Sequence, residues 1–211
     1  MKNYRLHLIR HGISEDNVKH LLGGSGRNAH LSEEGKTQLL EMKEKFAYPM
    51  ADTLFVSPMN RTIETAEILY PSHKRIITSA LIEANYGIME GKPREETYAF
   101  FEEWMRPENP TTPEGAEAYF TFKMRSAVVI STLLEGMMKS GIYEAIAITH
   151  GGLIASALAS IGLPEQGERM WYANNGTGYT LSTSPAMWMR SQKAEVTAIL
   201  PVGYMKPINN E

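Results

Sequence analysis

The sequence predicts an α/β fold with a mainly parallel central sheet flanked by helices. Two observations carry that expectation. Strand-like runs alternate with helical patterns along most of the chain, which makes a parallel sheet with crossover helices the default arrangement. The run "AIAIT" (145–149) is apolar almost throughout, as a strand covered by helices on both faces must be. At 211 residues the chain is long enough to bury one sizeable core, and a single domain over 1–211 is expected.

Residues 4–9 alternate and then thicken into apolar side chains ahead of Arg10, His11 and Gly12, the pattern of a short buried strand. The "GGSG" that follows (23–26) could cradle an anion, but reads more readily as a flexible surface loop. Ser32-Glu33-Glu34 is a good helix start, continued by Leu39, Leu40, Met42 and Phe46. "TLFVSP" (53–58) reads as a second strand running into a Ser cap and a Pro at the first helical position, with a helix to about Leu69. "RIIT" (75–78) is a third strand.

Residues 92–112 change character. Tyr98, Phe100, Phe101, Trp104 and Met105 crowd between Pro93 and a Pro-rich segment at 107–113, as in an inserted, lid-like piece. Packing of an inserted helix and contact with the apolar part of a ligand are both compatible with it. A long helical pattern runs from about Glu114 to Met138. After strand 145–149, residues 150–162 form a helix whose start carries His150, Gly151 and Gly152. "GYTLST" (178–183) and "EVTAIL" (195–200) are the last strands.

Composition excludes several functions. Lys plus Arg total 21 against 24 Asp plus Glu, a formal charge of −3, which argues against nucleic acid as a partner; any bound anion should be small and held locally. No apolar core of signal-peptide length precedes Arg10, and no run of about 18 apolar residues occurs, so a cytoplasmic protein without membrane contact is expected. With no Cys there is no disulfide, thiolate zinc site or cysteine nucleophile. Asp occurs only at 16 and 52, little material for an aspartyl-phosphate enzyme or a two-metal site, and the irregular spacing of His7, His11, His20 and His30 does not suit a metal. No cofactor is expected. "GKT" (35–37) is not a P-loop, since that motif needs Gly where His30 stands. Nothing sets an oligomeric state, although "PAMWM" (185–189) would suit an edge contact if exposed.

Three of the strands end in polar residues: Arg10 and His11, Ser57 followed by Arg61, and His150. In open α/β sheets the ligand crevice lies outside those carboxyl ends. Singly, each residue has an ordinary structural reading, as a strand end, a solvated helix Arg or a helix cap. Together they bring two Arg and two His to one point. A helix opening at Gly151-Gly152 would add backbone N–H groups and the positive end of its dipole, which suits phosphate.

These segments resemble the histidine phosphatase superfamily with its phosphoglycerate-mutase-like three-layer fold. The likeness rests on "RHG" with Ser14 and Asn17 behind it, "LSEEGKTQ" (31–38), "SPMNRTIETA" (57–66), "LIEANYGIMEG" (81–91) and "THGG" (149–152), in order and across residues 4–183. Ile13, His30 and "PEGAE" (113–117) depart from it. The resemblance implies that His11 is a nucleophile forming a phosphohistidine and that Glu83 is the proton donor. It implies that Arg10, Arg61 and His150 line the phosphate pocket, with Asn17 and Gly151 as further donors. The implied activity is metal-independent hydrolysis of a small phosphate ester. Two alternatives are a cofactor-dependent mutase, for which the chain is short, and a non-catalytic phospho-ligand binding module, which would need neither His11 nor Glu83.

Overall fold

The computed structural model describes residues 2–106 and 111–204. Among these, seven strands form one sheet: β1 (Tyr4–Arg10), β2 (Thr53–Val56), β3 (Arg75–Ile77), β4 (Glu144–Thr149), β5 (Gly162–Leu163), β6 (Gly178–Thr183) and β7 (Ala194–Leu200). Their order is β3-β2-β4-β1-β6-β7-β5. Only β6 is antiparallel to its neighbours, so the other six strands share one direction. This is the mainly parallel α/β architecture that the sequence pattern predicts.

Among the described residues, eight α-helices surround the sheet: α1 (Glu15–Val18), α2 (Glu33–Lys45), α3 (Asn60–Leu69), α4 (Tyr98–Trp104), α5 (Tyr119–Ser140), α6 (Gly151–Ile161), α7 (Glu168–Trp171) and α8 (Pro185–Ser191). The pleat sorts side chains onto two faces. In β4, Ile146 and Ile148 pack with Leu39, Ala66 and Leu69 of α2 and α3. The intervening Ala145 and Ala147 face Ile130 and Leu134 of α5 and Leu153 and Ala157 of α6. All four β4 residues are fully buried, so the apolar run is the middle layer of three.

Three local expectations change. Ser32 does cap α2, its Oγ accepting from Gly35 N at 3.0 Å, yet Leu40 points to solvent. The helix after β2 begins at Asn60, with Met59 at the cap position, so Ser57 does not cap it and Pro58 is not its first residue. The long helix begins at Tyr119 rather than near Glu114. Residues 114–117 are instead drawn to 85–88: Ile88 N donates to Glu114 O and Glu117 N to Asn85 O, at 3.0 and 2.9 Å. Of the predicted insertion, residues 107–110 lie outside the described residues. The rest forms a 3₁₀ turn (Arg94–Thr97) and α4, whose Trp104 is buried in the core. In the "PAMWM" stretch, now α8, Trp188 is buried and Met189 exposed.

Candidate active site

Strand register sets the site. Arg10 of β1 pairs with Thr149 of β4, so His11 and His150, each one residue on, emerge side by side; their ring centroids are 5.3 Å apart. Val56 of β2 pairs with Ile148, and Ser57 N donates to Ile148 O, which sets Ser57 against His150. Three separate chain segments thus meet at the carboxyl ends of adjacent parallel strands.

His11 is buried and its Nδ1 lies 2.7 Å from Gly12 O. A carbonyl can only accept, so Nδ1 carries the hydrogen and Nε2 keeps its lone pair. The Asn175 amide nitrogen holds this turn open by donating to both His11 O and Gly12 O, at 3.1 and 3.0 Å. Burial, then the positive charges of Arg61 and Arg10, hold the imidazole pKa well below the usual value of 6.5. His150 is fully buried behind the pocket wall, with Nε2 2.8 Å from Ser57 Oγ. Its pKa is pushed well down, by burial first and then by Arg61. Its Nδ1 is buried with no partner among the described residues.

The two arginines are fixed through backbone carbonyls, and neither makes a direct ion pair among the described residues. Arg10 Nη1 donates to Ala173 O at 2.8 Å, and its guanidinium lies over the Tyr172 ring at 4.9 Å; Nε is buried without a partner among the described residues. Arg61 donates to Arg27 O at 2.9 Å and Gly24 O at 3.1 Å. Arg27 in turn forks onto Asp16, at 3.0 and 2.6 Å. The "GGSG" stretch is therefore not a free surface loop: it supplies a carbonyl that aims Arg61. Buried unpaired donors and guanidiniums without a direct ion pair are what an incoming anion would satisfy.

Glu83 is buried beside them. Its Oε1 accepts from Ala84 N and its Oε2 from Gly152 N, both at 3.0 Å. The start of α6 thus faces the Glu83 carboxyl group, through Gly152. Gly151 lies beneath, packed against Arg10 and Tyr172. Asn17 Oδ1 accepts from Ser14 N and Oγ and from Asn175 Nδ2, each at 3.1 Å, so its amide nitrogen is the end left for a ligand.

A cavity of about 260 Å³ opens over these groups, lined by Arg10, His11, Asn17, Arg61 and Glu83. It is below the ~300–1,000 Å³ of drug-sized ligand sites and suits a small molecule. The inserted segment contributes Arg94, Thr97, Tyr98 and Phe101 to the same wall. Sequence reasoning missed Arg94, whose one signal was a cation at the start of an aromatic insertion. It also missed Asn175, which had none. Among the described residues no group of three or more His, Asp or Glu is disposed to hold a metal ion, and no helix is long and apolar enough to cross a membrane.

The model of the histidine phosphatase superfamily (branch 1) matches residues 6–189. The chain belongs to that superfamily. Two curated relatives are a fructose-2,6-bisphosphatase TIGAR B of Danio rerio, 26% identical over 163 residues, and a 2,3-bisphosphoglycerate-dependent phosphoglycerate mutase of Streptomyces griseus, 33% identical over 131 residues. The matches cover 74% and 56% of this chain but only 60% and 51% of those proteins. Among solved structures, the α-ribazole phosphatase of Shigella flexneri superposes with a TM-score of 0.72 at 20% identity, covering 92% of this chain and 95% of that one. That likeness shows a shared fold. The Arg-His pair, the second Arg and the Glu line one cavity, and the second His is buried behind its wall.

Proposed function

We propose that the chain is a metal-independent phosphomonoesterase that hydrolyses small phosphate esters through a phosphohistidine at His11. The observation that carries this reading is the His11 ring: one nitrogen is bound to Gly12 O, the other is unprotonated, and two guanidiniums lie close by. In the forward step Nε2 attacks phosphorus and the ester P–O bond breaks. Arg10 and Arg61 hold the non-bridging oxygens, where the charge of the transferring group resides. In this reading the Ser57 hydroxyl donates to Nε2 of His150, so that Nδ1 carries the hydrogen and donates to the same group. The departing alkoxide takes a proton from Glu83. The resulting carboxylate then takes one from the water that attacks phosphohistidine, releasing phosphate and restoring Nε2.

Similarity to phosphoglycerate mutases favours one second reading, in which the phosphohistidine is handed to another alcohol instead of water. The reactions separate in one assay: p-nitrophenyl phosphate in excess EDTA, beside a His11→Ala control and beside 3-phosphoglycerate with a bisphosphate primer. The phosphatase reading expects metal-free turnover that falls at least about a thousandfold in His11→Ala. Full turnover in that variant, or isomerisation without hydrolysis, would overturn it.

A further inference from the structure

Glu83 lies in an irregular segment rather than on a strand or helix, so something must hold its carboxyl group in reach of a leaving oxygen. That support comes from the second turn of α5. Arg125 forks onto Glu117, Nε to Oε2 at 2.9 Å and Nη2 to Oε1 at 2.7 Å. The same guanidinium donates to Ile82 O at 2.9 Å and to Glu83 O at 2.8 Å. Glu117 completes the grip: its Oε1 accepts from Asn85 N at 2.8 Å, and its backbone N–H donates to Asn85 O at 2.9 Å. Four backbone groups around Glu83 are thus fixed by one ion pair. Gly87, at φ +55°, lets the next turn press on 114–116, where a Cβ would lie 2.1 Å from Glu114 O.

The clamp also reaches the cavity wall. Trp104, the buried end of α4, donates from Nε1 to Glu117 O at 2.9 Å. The helix that contributes Tyr98 and Phe101 to the cavity therefore hangs on the residue that fixes the Glu83 segment.

We propose that the Arg125–Glu117 pair is a positioning device that sets the Glu83 carboxyl group against the leaving oxygen and ties that placement to the α4 wall. Neither residue lines the cavity, so the pair acts through Glu83; the inference rests on the proton-donor reading of Glu83. A forked guanidinium bound to a carboxylate and two carbonyls has a geometry that an ammonium cannot reproduce, which makes Arg125→Lys the informative variant.

The experiment compares kcat/KM, which reports formation of the phosphohistidine and not its later hydrolysis, for p-nitrophenyl phosphate, whose leaving group needs no proton, and glycerol phosphate, whose leaving group does. Glu83→Gln is expected to slow glycerol phosphate by about a hundredfold and p-nitrophenyl phosphate far less. Arg125→Lys is expected to lower kcat/KM for glycerol phosphate by about tenfold, with kcat/KM for p-nitrophenyl phosphate and inhibition by inorganic phosphate nearly unchanged, and to add nothing in the Glu83→Gln background. Glu117→Gln, which keeps the shape and loses the charge, should give the same pattern and stands in if Arg125→Lys does not fold. Equal losses on both substrates, no loss on either, or a full additional loss in the Glu83→Gln background would overturn the clamp. If Glu83→Gln itself treats the substrates alike, the proton-donor reading fails first, and the clamp's role falls with it.

Discussion

At His11, burial and two neighbouring cations act in the same direction, and both favour the uncharged ring that nucleophilic attack requires. His150 feels the same field, and its hydrogen-bond partner is Ser57. Ser57→Ala leaves Nε2 of a fully buried imidazole without that partner and frees the ring to choose the wrong tautomer. We expect inhibition by inorganic phosphate to weaken by about tenfold, with the melting temperature only slightly lowered. An unchanged inhibition constant would show that Ser57 does not set the ring. Arg10, His11 and His150 were legible because chemistry-bearing types sat at strand ends, and Arg61 because it follows one by a few residues at the start of α3. Asn175 was not: an Asn before a Gly reads as a turn, and its donation to the His11 and Gly12 carbonyls depends on β6 lying beside β1.

Elements show the same division. Strands β1, β4 and β6 and helix α6 were readable from local pattern because burial imposes it. The start of α3 was misread because a Ser-Pro pair looks like a cap, whereas the Ser57 hydroxyl is taken by His150 from another element. The start of α5 was misread because 114–117 zip onto 85–88, a pairing between segments some 30 residues apart in sequence that propensity does not carry. The "GGSG" stretch at 23–26 reads as free surface because glycines and a serine give no sign of a carbonyl committed to Arg61. Gly24 tests this assignment. A Cβ there would lie 2.2 Å from Glu90 Oε1 and 2.7 Å from Ala84 O. Gly24→Ala should destabilise by about 1–3 kcal/mol and raise KM, because the loop that aims Arg61 must shift. A variant with unchanged melting temperature and KM would restore the surface-loop reading.

Across the whole molecule, the sheet gathers the site because six strands share one direction and three adjacent ones, β2, β4 and β1, end together. The sequence pattern pointed to that class, but not to the strand order or the reversed β6, which long-range pairing decides. The buried imidazoles also tie stability to pH. His7, His11 and His150 all have pKa values lowered by burial in the folded state, while the unfolded chain takes up protons near 6.5. Between those values the unfolded state binds more protons. Their contribution is therefore complete above pH 6.5 and is lost as pH falls through 6.5 toward the depressed folded values. Each imidazole contributes a slope of up to about 1.4 kcal/mol per pH unit there. Denaturant unfolding at about pH 7.5 and about pH 5.5 should give clearly lower stability at the acidic value, with a shallower fall once His150 is replaced by Gln. Equal stabilities would mean that these rings are protonated in the folded state.

On the proposed mechanism, His11 carries the phosphoryl group during turnover. Mixing the protein with p-nitrophenyl phosphate, quenching in alkali and mapping the adduct by mass spectrometry tests it directly. A phosphoryl group is expected on the peptide containing His11, absent from His11→Ala and lost on acid treatment, as a phosphoramidate bond requires. A phosphoryl group on another residue, or undiminished turnover in His11→Ala with no phosphoenzyme, would contradict it.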